Sequence, residues 1–143
     1  MADPNLAHPA LIVQIHLSAA IVSLVLGAWQ LIAARGGVRH RVVGRVWVLA
    51  MAVTAISSFG ITGKLGWTWL GGYSWIHGLS LWILISLTMA VRAARRRAFA
   101  AHKGWMVGSY AGLVSAGVFA ALPPGRVVGH WLRATLPIWL PGA

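Results

Sequence analysis

Four histidines carry the only chemistry-bearing pattern in the sequence. His16 and His40 lie 24 positions apart, and His77 and His102 lie 25 apart. Their contexts echo each other, "HLS" against "HGLS" and "HRVVGRVW" against "HKGWMVG". A neutral imidazole inside an apolar run is a ligand or a hydrogen-bonding group, because burying it without a partner costs a few kcal/mol. An iron porphyrin brings four equatorial nitrogens, so two imidazoles complete its coordination. A protein zinc site wants three or four side chains, and here there is no cysteine and one acidic residue, Asp3. Copper held by His102 and Met106, at i and i+4, is a weaker fit. His8 and His130 stand outside the repeat and read as interfacial.

The elements that must position these histidines are membrane helices. The chain has 143 residues, 59% hydrophobic and 9% charged, with a mean hydropathy of +0.77. That is too apolar for a soluble domain of this length. The net charge of +11 would elsewhere suggest nucleic acid, but the cations sit in short clusters between apolar runs, which argues against that partner. The first apolar run has no basic segment before it and no A-x-A-like site after it, so a cleaved signal peptide is not expected.

Runs of about 20 apolar residues predict four spans, at about 9–34, 40–63, 74–94 and 102–122. The expected architecture is an all-α membrane protein forming one transmembrane domain over 1–143. It is a four-helix transmembrane bundle built from two repeated helical hairpins, with a short C-terminal interfacial helix at 125–140. Nine of the twelve basic residues (Arg35, Arg39, Arg41, Arg45, Arg92, Arg95, Arg96, Arg97 and Lys103) fall in or beside the first and third connections. The positive-inside rule makes that side cytoplasmic and puts both termini outside, in a bacterial inner membrane. Trp67, Trp69, Tyr73 and Trp75 form an aromatic belt at the opposite interface.

In this frame the histidines sort into two layers. His16 is about 10 Å below the outer end of its helix, and His77 enters from the same side. His40 and His102 lie at the cytoplasmic boundary. The helix face around His16 holds Ala20, Ser23, Gly27, Gln30 and Ala34, which leaves room for a flat ring or for close approach of a neighbouring helix. Leu17, Ile21, Leu24, Val25 and Leu26 are expected to face lipid. Gly104, Gly108, Gly112, Ala116 and Ala120 form a stripe of small residues away from His102, suited to helix packing. Arg39, Arg41, Arg45 and Lys103 are placed to meet anionic propionates, although positive-inside sorting alone also accounts for them. Trp47 and Trp105 either flank a ring or anchor at the boundary, while Met51, Met89 and Met106 read as core filler. The same histidines also suit plain interhelical hydrogen bonds.

With "HRVVGRVWVLAMAVTAISSF", "IHGLSL" and "AHKGWMVGSYAGLVSAGVFAALPPGR" in view, the chain resembles the bacterial integral membrane family designated domain of unknown function 2306. The resemblance runs from His16 to about Arg126 and implies a fold without assigned chemistry. The alternation of the histidines also resembles, in architecture alone, the four-helix core of the ascorbate-dependent transmembrane cytochromes b. That resemblance implies two b haems as cofactors, one on His16 with His77 and one on His40 with His102. No ascorbate-site signature accompanies it.

The leading expectation is a small dihaem cytochrome b, carrying electrons across or within the membrane between a quinol or small reductant and an acceptor. Its partners would be the lipid bilayer, a quinone, and a second copy or a larger membrane complex. The rival expectation is a non-catalytic accessory subunit of a respiratory or photosynthetic complex. A transporter fits poorly, since no carboxylate lies within a span to carry protons or cations.

Overall fold

A computed structural model describes residues 10–61 and 75–121. Four helices account for most of them: α1 (Leu11–Ile32), α2 (Val38–Ser58), α3 (Trp75–Arg95) and α4 (Phe99–Ala121). No strand is present among the described residues. By length and composition, α1, α2 and the part of α3 from His77 to Arg95 can each cross a membrane. The 23 residues of α4 make it about 34 Å long, the length of the expected fourth span, but among the described residues only the other three helices are also apolar enough to cross a membrane. The expected tail helix at 125–140 and the belt residues Trp67, Trp69 and Tyr73 lie outside the described residues, as do His8 and His130.

Helix boundaries depart from the hydropathy pattern where the backbone turns. α2 stops at Ser58, short of the expected 63, because its last turn tightens. Phe59 N–H bonds the Ile56 carbonyl at 3.2 Å, and Gly60 and Ile61 follow with the same three-residue spacing. α4 starts at Phe99, ahead of the expected 102, because α3 ends abruptly. Arg97 takes a left-handed φ of 57°. The Ala98 N–H then reaches back to the Ala93 carbonyl at 2.9 Å and the Arg97 N–H to Ala94 at 3.0 Å. This is a Schellman cap with arginine where glycine is usual. In the α1–α2 connection the left-handed residue is Gly36, φ 86°, beyond the extended C-cap Ala33 that ends α1.

The helices form a ring in which each packs against its neighbours in sequence, and α1 touches α4 less extensively. Hydrogen bonds fix the register of each antiparallel pair. Near one end, the His16 imidazole meets α2 at Thr54, and Ser58 donates to Ser80 of α3 at 2.7 Å. At the other end Gln30 donates to the His40 carbonyl at 3.0 Å, and His102 meets α3 at Ala90. At mid-depth Trp47 donates its indole N–H to the Ser23 carbonyl at 2.8 Å.

Burial is inverted relative to a soluble bundle. The core consists of Trp47, Met51, Ala55, Ile83, Leu87 and Leu113, accompanied by buried Ser23, Thr54, Ser57, Ser58, Ser80, Ser86 and Ser109. Small hydroxyl side chains permit close helix approach, and several satisfy themselves on their own helix, as Ser23 does on Ala19 and Ser109 on Trp105. Large apolar side chains such as Ile21, Val25, Leu49, Ile56, Leu81, Val118 and Phe119 face outward, as lipid requires.

Three details of the expected faces change. Leu24 and Leu26, expected in lipid, pack partly on the core. Met89, expected in the core, is exposed, whereas Met51 is buried and Met106 packs against the core. Trp47 flanks nothing at the boundary but sits in the centre, 2% exposed.

Candidate functional site: two histidine layers

Helical register sets the depth of each histidine. His16 is level with Thr54, and His40 lies fourteen residues before Thr54 on the same helix, about 21 Å away along the axis. His102 is level with Ala90, thirteen residues beyond His77 on α3, about 20 Å. His77 lies one turn before Ser80, which bonds Ser58 at the end of α2, and its ring is 6.0 Å from that of Phe59. His16 and His77 thus occupy one end of the bundle, and His40 and His102 the other. The buried Trp47 and Met51 fill the interval.

Within the first layer, His16 turns toward α2. Its Nδ1 is 2.9 Å from the Thr54 carbonyl and 3.1 Å from Ser57 Oγ. A carbonyl oxygen only accepts, so Nδ1 carries the proton and Nε2 keeps its lone pair. The Ser57 hydroxyl agrees with this tautomer, since its own proton is engaged at 2.7 Å with the Val53 carbonyl.

In the second layer His102 does the same on α3, its Nδ1 lying 3.0 Å from the Ala90 carbonyl. By the same argument its Nδ1 carries a proton. His40, near the start of α2, lies at the same end of the bundle as His102 near the start of α4. Its Nδ1 is buried without a hydrogen-bond partner, as is the amide oxygen of Gln30. Gln30 reaches α2 because Gly44 leaves space, as a Cβ there would lie 3.1 Å from Gln30 Nε2.

Donation from Nδ1–H to a backbone carbonyl is how metal-ligating histidines are usually held, with Nε2 facing the metal. His16 and His102 have that Nδ1 hydrogen bond, and His40 has a buried Nδ1 without a hydrogen-bond partner. In donor type alone, these imidazole nitrogens are what an iron porphyrin takes as axial ligands. Among the described residues no three His, Cys, Asp or Glu side chains gather as a metal group.

The small face of α1 serves helix packing. A Cβ at Gly27 would collide with the Tyr110 ring and lie 2.6 Å from the Trp47 indole nitrogen, so α1, α2 and α4 converge there. Tyr110 also donates its hydroxyl to the Leu24 carbonyl at 3.3 Å. The glycine stripe of α4 divides: Gly112 meets Ile83, while Gly104 and Gly108 have open space around them.

The cations are not equivalent. Arg39 lies over the Trp29 ring, 4.7 Å from its centroid, and Arg41 reaches the Gly36 carbonyl at 3.4 Å. Arg45 and Lys103 are exposed at the same end. Sequence reasoning missed Thr54, Ser57 and Ser58, although hydroxyls at i, i+3 and i+4 in an apolar helix mark a polar face. It also missed Ala90, whose contribution is a backbone oxygen with no residue-type signal.

A family model described as "Predicted membrane protein (DUF2306)" matches residues 13–136, and the chain belongs to that family. No curated protein and no solved structure matches it.

Proposed function

We propose that this membrane protein is a small dihaem cytochrome b that passes electrons between a quinol or small reductant and an acceptor. His40 and His102 would hold one haem b, and His16 and His77 the other. The observation that carries the reading is the shared tautomer of His16 and His102, each giving its Nδ1 proton to a carbonyl of the neighbouring helix. This raises the basicity of Nε2 and holds the ring plane. Bound haem supplies a one-electron couple, tuned by its axial ligands and surroundings.

The chain's own residues supply the rest. Trp47, Met51, Ile83, Leu87 and Leu113 keep water out of the interval between the layers. At the basic end Arg45 and Lys103, with Arg41, offer counter-charges for propionates, while Arg39 is engaged with Trp29. The full chain purified in detergent, after expression with ample haem precursor, is expected to show a Soret band and a b-type α-band on dithionite reduction. Absence of both overturns the reading.

A second reading has its own support. Gly104 and Gly108 leave an open, small-residue surface on α4, which suits packing against another membrane helix in a larger complex. Native gel migration of gently solubilised membranes separates the two, since an accessory subunit co-migrates with partners.

A further inference from the structure

The flank of the first hairpin carries a feature that the histidines leave unused. At the His40 end, Val25, Leu26, Trp29, Arg39 and Val43 line a shallow groove between α1 and α2, open to the exterior. Its floor is apolar and its rim holds one cation stacked on an indole. Stacking leaves the edge of the guanidinium, with its fork of N–H donors, available to an oxyanion.

Among the described residues there is no acidic side chain to satisfy that fork. The chain has twelve Lys and Arg residues and one acid, Asp3. The exposed Arg35 stands in the adjoining connection and adds positive potential. Val25, 62% exposed, continues the apolar floor toward mid-depth. A cation at the membrane interface, an aromatic beside it and an aliphatic channel below are what a charged headgroup on an acyl chain requires.

We infer that this groove is a binding site for an anionic glycerophospholipid. Its phosphate sits on Arg39, and one acyl chain lies along Val25, Leu26 and Val43. The zwitterionic lipid of the same chain length binds less well, because its ammonium meets a field that is positive throughout this end of the bundle. The inference is independent of the haem reading.

The test is native mass spectrometry of the full chain in detergent, mixed with phosphatidylglycerol or phosphatidylcholine of equal chain length. Retention of phosphatidylglycerol is expected to exceed that of phosphatidylcholine. Arg39→Gln should lower phosphatidylglycerol retention about fivefold, the worth of one interfacial cation. Arg96→Gln, the same charge loss on the other hairpin, should leave it within twofold. Trp29→Leu, which removes the stacking partner and keeps the charge, should give an intermediate loss. Inorganic phosphate at equal concentration should not displace the lipid. Equal retention of the two lipids overturns the inference, as does an equal effect of Arg39→Gln and Arg96→Gln, or displacement by phosphate.

Discussion

The indole nitrogen of Trp47 and the carbonyl oxygen of Ser23 are 2.8 Å apart, in the middle of α1 and α2. Both residues are nearly inaccessible, at 2% and 0% exposure. Their bond ties α1 to α2 midway between the two histidine layers. Trp47→Phe keeps most of the apolar volume and removes the donor. Such bonds between membrane helices are worth about 0.6 to 1.7 kcal/mol, so a loss of that size is expected in reversible SDS unfolding. Trp47→Ala, which opens a cavity as well, should lose about 3 to 5 kcal/mol.

Gly27 sits one turn beyond Ser23, and its missing side chain is where Tyr110 and Trp47 meet α1. Gly27→Ala forces both rings to move and is expected to destabilise by about 1 to 3 kcal/mol. Tyr110→Leu shortens one of the colliding groups. The penalty for Gly27→Ala, measured in that background, should fall by at least half. An unchanged penalty would mean that the two residues do not share the site.

The two described turns make opposite predictions. Gly36 has φ 86°, a conformation that costs an L side chain about 1 to 2 kcal/mol, so Gly36→Ala should lower stability by about 1 kcal/mol. Arg97 already bears that strain at φ 57°. Arg97→Gly should therefore be neutral or stabilising by up to about 1 kcal/mol, although it removes a charge from the connection.

The tautomers of His16 and His102 are open to direct measurement. Nitrogen-15 spectra of histidine-labelled protein, assigned by His16→Gln and His102→Gln, should show both residues protonated on Nδ1 in the haem-free state. Ser57→Ala should leave the His16 signal as a Nδ1–H tautomer, because the Thr54 carbonyl remains. Protonation on Nε2 at either site would contradict the hydrogen-bond assignment.

Much of this was legible in the residues. Long apolar runs gave four helices, because backbone polar groups in lipid leave no other solution for these lengths. The depths of the histidines followed from helical rise alone. Two things were not legible. The small face of α1, Ser23 and Gly27, reads equally as space for a ring or as a close helix crossing, and only the rings of Trp47 and Tyr110 decide for the crossing. The apparent duplication likewise says nothing about contacts. His16 bonds the C-terminal part of α2 and His102 the C-terminal part of α3, while the ring of Phe59 lies beside that of His77. Of the equivalent pair His40 and His102, only His102 has a hydrogen-bond partner at Nδ1.

Haem stoichiometry in single-histidine variants tests the central claim that each end of the bundle holds its own cofactor. The full-length protein should carry two haems per chain by pyridine haemochrome assay. His40→Ala and His102→Ala should each leave one haem with one and the same α-band, and His16→Ala and His77→Ala should leave one with the other. A protein that carries no haem, or whose haem content is untouched by all four substitutions, would contradict the account.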